Sequence, residues 1–193
     1  MAKVKVLIEG YVKDDTLVVP TTTLIQDGNT NIVVDPGMGK NKLEALKKAL
    51  ETEGLSFEDI SIVFTTHYHL DHTQHVGLFL KAKLIDYMYV YDGEQWTDHD
   101  GEGYKISPNV SITHTPGHSI EHASLTVKTD KGLVVVAGDV WWFTDMTPVE
   151  DEMAWNQEKL EDSRKKVLKV ADWIIPGHGK MFRNLKKEVK SDV

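Results

Sequence analysis

The chain has 193 residues, 40% hydrophobic and 27% charged, a globular make-up large enough to bury roughly 70% of its unfolded surface without a disulfide or structural metal. It contains no cysteine, which excludes a disulfide framework and a thiolate nucleophile and leaves imidazole and carboxylate as the strong metal ligands. A formal net charge of -8 opposes bulk attraction to nucleic acid or anionic lipid, and no apolar run reaches the roughly 18 residues of a membrane span. One domain over residues 1–193 is the expectation, and a cytoplasmic one, because "MAKVKVLIEG" lacks a long apolar signal region.

In chain order, "VKVLIEG", "TLVV", "TTTLIQDG" and "TNIVVDPG" are short β-branched runs that predict an antiparallel meander, with turns at Asp27-Gly28 and Pro36-Gly37. "NKLEALKKALETEG" predicts an amphipathic helix capped by Asn41, with Leu43, Leu46 and Leu50 on its apolar face and Gly54 ending it. "ISIVFTTH" reads as a buried strand, and "LDHTQHVGLFLKA" as a helix after it. The second half repeats the plan: strands at "VSITHTPG", "ASLTVKTD" and "GLVVVAGD", a helix around "AWNQEKLEDSRKKVLKVA", and a last strand "DWIIPGHG". Two β-rich halves with helices predict an α/β sandwich, two sheets with helices on the outer faces. The basic tail "KMFRNLKKEVK" reads as a solvated terminal helix.

Chemistry-bearing residues gather where these strands stop. His67 and His69 follow "SIVFTT" at i, i+2, so in an extended segment both imidazoles project to one side and can share a metal. Asp71 and His72 come next. His118 in "HTPGHS", Asp139 in "VVVAGDV" and His178 in "IIPGHG" add one ligand each from three other strand ends. A structural site closes with four ligands, so five histidines and two aspartates suit two metals with positions open for water. Gly117, Gly138, Gly177 and Gly179 flank these ligands and fit tight turns in a crowded site.

In this order "HYHLDH", "TPGHS", "AGD" and "PGHG" resemble the signature of the metallo-β-lactamase superfamily, H-x-H-x-D-H followed by H, D and H. The resemblance implies the αβ/βα four-layer sandwich with two mixed sheets and the site at one edge between them. It implies two divalent ions, zinc foremost with iron or manganese compatible: the first on His67, His69 and His118, the second on Asp71, His72 and His178, with Asp139 bridging. Within the superfamily, "DHTQHVGLF" and the block from "VVVAGDVWW" to "DSRKKVLKVADWIIPGHGKMF" are similar to the metallo-β-lactamase domain-containing protein 1 family, which is linked to RNA cleavage. Too few residues follow Gly179 for the helical domain with which glyoxalase II enzymes bind glutathione thioesters, and the chain has no room for the inserted domain of the β-CASP nucleases. His69 with a full Asp71-His72 pair departs from the flavo-di-iron branch.

The expected chemistry is hydrolysis. Two cations about 3.5 to 4 Å apart share a water, lower its pKa and aim the resulting bridging hydroxide at a carbonyl or phosphoryl centre. Asp139 sets the metal spacing and Asp71 orients the attacking water. The expected substrate is a small ester, thioester or lactone. Three alternatives stay open: a metal-dependent endoribonuclease acting on single-stranded RNA through Lys180, Arg183, Lys186, Lys187 and Lys190; a mononuclear iron persulfide dioxygenase; and a non-catalytic metal-binding module. A homodimer is compatible, and no membrane partner is expected. His75 is read as either lining the site or packing, His114 and His122 as strand or turn surface, and His99 as exposed. Trp141, Trp142 and Phe143 are read as the wall of a substrate mouth, or as core or dimer packing.

Overall fold

Alternation governs the first strands. In the computed structural model, which describes residues 1–14, 16–143 and 150–186, β1 (Lys3–Ile8) turns its lysines to solvent and its valines inward. β2 (Tyr11–Lys13) and β3 (Leu17–Val19) pair only with each other, so "TLVV" belongs to a separate ribbon rather than to the meander. β4 (Thr22–Asp27) runs antiparallel to β1 and, through a turn in which Gly28 adopts φ 62°, to β5 (Thr30–Val34).

The helix α1 (Lys40–Thr52) starts one residue before Asn41, with Gly39 at its cap; the Gln74 side chain accepts the Gly39 N–H at 2.8 Å, so a local Asn cap is not needed. Gly54, at φ 73°, follows its end as expected. β6 (Ile62–Phe64) lies parallel to β5. The expected helix beyond it contracts to one turn, α2 (Leu70–Thr73), and a 3₁₀ turn at Val76–Leu78. The cause is a competing bond: the His75 N–H donates to Gly37 O at 3.0 Å instead of continuing the helix, and His72 O accepts from Gly37 N at 3.3 Å. β7 (Lys83–Ile85), β8 (Tyr89–Asp92) and β9 (Gln95–Asp98), which the sequence did not announce, complete a seven-stranded sheet in the order β1-β4-β5-β6-β7-β8-β9.

β10 (Lys105–Ser107), β11 (Val110–His114), β12 (Ala123–Thr129) and β13 (Gly132–Gly138) open the second sheet. After them come α3 (Gln157–Val170), β14 (Trp173–Pro176) parallel to β13, and β15 (Phe182–Arg183). The tail therefore pairs as a strand at 182–183 rather than forming a helix there. Lys187 and Lys190 lie outside the described residues.

Three apolar layers hold the sandwich. Ile25, Ile32 and Phe64 of the first sheet meet Ile112, Leu125 and Val136 of the second. On the outer face of the first sheet, Leu24, Val33 and Val63 pack on Leu46 and Leu50 of α1; on that of the second, Val135 and Ile174 pack on Leu160 and Val167 of α3. Each fully buried aliphatic or aromatic side chain contributes about 1.5–3 kcal/mol of transfer free energy. The arrangement is the four-layer sandwich expected, and among the described residues no helix is long and apolar enough to cross a membrane.

Candidate metal centre

The strands end at one edge, and their ends converge. His67, His69, His118 and Asp139 form one group of ligand atoms and Asp71, His72 and His178 another, the atoms of each lying within 4.8 Å of one another. All seven residues singled out in the sequence are thus brought together. In the first group, His69 Nδ1 stands 3.0 Å from both His67 Nε2 and His118 Nε2. Asp139 reaches both groups: Oδ2 is 3.4 Å from His118 Nε2 and 3.3 Å from His178 Nε2, and Oδ1 is 3.3 Å from His72 Nε2.

Partners on the far ring nitrogens fix which nitrogen faces the centre. His72 Nδ1 donates to Asp35 Oδ2 at 2.8 Å, His118 Nδ1 to Asp151 Oδ2 at 2.8 Å, and His178 Nδ1 to the Val19 carbonyl at 2.9 Å. His67 Nδ1 donates to Thr66 Oγ1 at 3.0 Å, and Thr66 Oγ1 donates in turn to Asp35 Oδ2 at 2.7 Å. Each bond turns Nε2 toward the centre, where its lone pair can serve a metal once the ring is neutral. Lone pairs 3.0 Å apart, as between His69 and its two neighbours, repel unless a proton or cation lies between them. The buried His72 Nε2 and Asp139 Oδ1 face each other at 3.3 Å without a well-aligned hydrogen bond, an arrangement that suits a cation held by both. The donor set therefore fits divalent cations.

Protonation shows the same demand. Burial pushes the His67 pKa well below its ordinary value, with the His72 charge adding to the effect, and burial lowers His69 too. Burial also works against a charged His72, but the Asp139 and Asp35 carboxylates outweigh it and hold this histidine well above its usual pKa. For His178 likewise, Asp139 overcomes burial and raises the value. Asp139 itself would be raised by burial, yet His178 and His72 hold it well below the carboxylate range.

Backbone conformation leaves room for this crowding. A Cβ on Gly177 would sit 1.7 Å from Asp139 Oδ1, and one on Gly138, at φ 53°, 2.7 Å from Thr66 Oγ1.

A family model described as the metallo-β-lactamase superfamily matches residues 15–106. Over 192 residues the chain is 33% identical to metallo-beta-lactamase domain-containing protein 1 of Xenopus laevis, covering 95% of this chain and 82% of that protein. The chain belongs to the metallo-β-lactamase superfamily. It spans only 60% of the human protein of the same name. Atrochrysone carboxyl ACP thioesterase of Aspergillus fumigatus is 29% identical, over 89% of this chain and 54% of that protein. Among solved structures, a metallo-β-lactamase family protein of Thermus thermophilus superposes with a TM-score of 0.74 at 19% identity, covering 95% of this chain and 75% of that one. A dizinc quorum-quenching lactonase does so at 0.64 and 17% identity, covering 82% and 72%.

Around the superfamily signature, sequence reading missed three side chains. Asp35 takes φ 49° in "VVDPG" and collects Thr66 N, Thr66 Oγ1 and His72 Nδ1. Asp151 binds His118 and, at 3.2 Å, Trp142 Nε1. His122, expected at the surface, is fully buried: its Nε2 accepts the Asp139 N–H at 3.2 Å, its ring stacks on His67 at 5.1 Å, and burial pushes its pKa down to about 3, so it is neutral.

The remaining histidines stand apart from the ligand groups. His75 packs against the Pro36 carbonyl at 3.2 Å, His114 is partly buried against Tyr87 at 3.8 Å, and His99, expected to be exposed, is partly buried on Tyr104 at 4.2 Å. The aromatic trio splits. Trp141 is buried in the layer beneath α3, whereas the Trp142 ring lies 6.3 Å from His118 and 6.2 Å from His178 and walls the centre, with Phe143 edge-on beside it at 6.3 Å.

Proposed function

We propose that this superfamily member is a dinuclear metal-dependent hydrolase of small esters, thioesters or lactones. The observation that carries it is the pair of ligand groups that Asp139 reaches at once, with buried Asp139 Oδ1 and His72 Nε2 facing each other without a well-aligned hydrogen bond. His67, His69 and His118 would hold one ion and Asp71, His72 and His178 the other, zinc first, iron or manganese next, with Asp139 between them. Bound divalent ions supply Lewis acidity and lower the pKa of water toward neutrality.

The chain's own residues supply the rest. Asp139, kept ionised by His178 and His72, sets the spacing between the groups. Asp71, with 17% of its side chain exposed, reaches solvent at the mouth and orients the attacking water. The Trp142 ring stands beside His118 and His178. Exposed apolar side chains lie close in sequence to the candidate ligands: Leu70 between His69 and Asp71, Ile120 two residues after His118, Met153 two after Asp151, and Trp155, whose backbone N–H donates to His118 O at 3.0 Å. Apolar neighbours of this kind suit an acyl group better than a phosphate backbone. The names of the lactonase and thioesterase among its likenesses support the same class.

The test is hydrolysis of a thioester and lactone panel by metal-loaded protein at low and physiological salt. Turnover insensitive to salt and to neutralising Lys180, Arg183 and Lys186 supports the reading. Metal-dependent cleavage of short single-stranded RNA that falls steeply with salt overturns it in favour of a ribonuclease, because phosphate contacts release counterions. One equivalent of iron with oxygen uptake on persulfide favours the dioxygenase, and no turnover on any substrate favours a metal-binding module.

A further inference from the structure

Four of the five histidines in the ligand groups have the far ring nitrogen held, by Thr66, Asp35, Asp151 and the Val19 carbonyl. His69 differs. Its Nδ1 faces the centre, and among the described residues its Nε2 has no hydrogen-bond partner. Beyond the edge-on rings of His67 at 4.6 Å and His118 at 4.8 Å, its direction depends on its backbone, where the neighbouring Tyr68 N–H donates to Glu121 Oε1 at 3.3 Å. On the C-terminal side, the His69 carbonyl accepts from His72 N at 3.1 Å and from Thr73 Oγ1 at 3.1 Å.

On the N-terminal side stands Tyr68, whose hydroxyl donates to Asp86 Oδ2 at 2.7 Å. Asp86, 3% exposed in the turn between β7 and β8, is itself immobilised: Oδ1 accepts Met88 N at 2.7 Å and Tyr89 N at 2.8 Å, and Oδ2 also accepts Tyr91 Oη at 3.0 Å. These four bonds leave no rotamer freedom to the carboxylate, and a bond to an ionised acceptor is about twice as strong as a neutral one. The hydrolytic centre makes no other use of this buried carboxylate. An apolar cavity of about 300 Å³ lined by Thr65, Tyr68, Thr73, Ile85 and Tyr91 lies beside it, so neighbouring side-chain packing does not by itself fix the Tyr68 ring.

We propose that Tyr68, tethered to Asp86, is the positioning residue for His69, replacing through the backbone the ring-nitrogen partner that the other four histidines possess. The proposal rests on the metal-centre reading. Loss of partners outside the ligand set typically weakens metal binding about 10- to 100-fold.

The experiment is a competition titration of the full chain with Zn(II) against a chromophoric chelator, alongside Co(II) absorption spectra and the melting temperature of the metal-free protein. Wild type is compared with Tyr68→Phe and Tyr91→Phe. Tyr68→Phe is expected to weaken one binding step about 10-fold, to shift the Co(II) band of that step, and to leave the other step as in wild type, with a melting temperature lowered no more than in Tyr91→Phe. Tyr91→Phe, which removes a bond to the same carboxylate without touching the ligand segment, should match wild type in both binding steps. Wild-type affinities in Tyr68→Phe overturn the proposal, as does equal weakening of both steps with a lowered melting temperature in both variants, the mark of a merely structural network. A wild-type chain that takes up neither ion overturns the metal-centre reading, and this role with it.

Discussion

Asp35 steers two candidate ligands at once, binding His72 directly and His67 through Thr66. Asp35→Asn keeps the shape and removes the charge, so metal affinity should fall about 10- to 100-fold in a competition titration; unchanged affinity would show that His72 is oriented by packing alone. The proton balance gives a second prediction. His72 and His178 have raised folded-state pKa values, so with no cation bound their charges stabilise the fold below the ordinary histidine value of 6.5, and this contribution is lost as pH rises through the raised values. Asp139 is depressed, so its contribution is present above 3.8 and lost as pH falls through its folded value. Metal uptake competes with protons for these two histidines and should release protons over the pH range where they are charged. Calorimetry in buffers of different ionisation enthalpy should register that release, and heats independent of buffer would contradict it. The seven candidate ligands were legible because they follow strand ends in a recurring order. Asp35 and Asp151 were not, since an aspartate before proline or in an acidic loop has the same local signature as a turn residue, and only tertiary pairing gives it a histidine.

Elements differ in how much of their shape is local. In α3 the helix was readable but its cap was not named: the Asn156 side chain accepts Lys159 N at 2.9 Å, and Asn156→Ala should cost about 0.5–2 kcal/mol in urea denaturation. An unchanged midpoint would mean that the packing of α3 carries its N-terminus without the cap. The segment after β6 was misjudged because Gly37, far away in sequence, captures the backbone of His72 and His75 and stops the helix. That interruption matters to the site, since it leaves His69, Asp71 and His72 around a single turn. The strand end at Gly177 is equally demanding: Gly177→Ala would drive a methyl group into Asp139 Oδ1, so metal content should drop while far-UV circular dichroism stays that of wild type. Full metal content in that variant would contradict the close approach.

At the scale of the molecule the two sheets are joined far from the centre by Asp27, at the end of β4, which accepts Ser107 Oγ at 2.6 Å, Asn109 N at 2.8 Å and Asn109 Nδ2 at 2.8 Å. Burial alone would raise this carboxyl, but those bonds outweigh it and hold the pKa below 3.8. The stabilisation is present above that value and lost as pH falls through the folded one. Asp27→Asn should then lower stability by about 1–3 kcal/mol at neutral pH, with the gap closing in acid; a gap independent of pH would point to shape rather than charge. The sandwich was legible from two β-rich halves with interleaved helices. The pairing of β8 with β9 at the sheet edge was not, because Gln95–Asp98 is exposed throughout and carries no apolar alternation. What the sandwich accomplishes is the convergence of distant strand ends on two ligand groups that share Asp139. Elemental analysis of protein purified without added metal tests that most directly. Two metals per chain are expected, falling to about one in His178→Ala as the second group is lost. One metal in both proteins, with equal activity, would refute the shared centre.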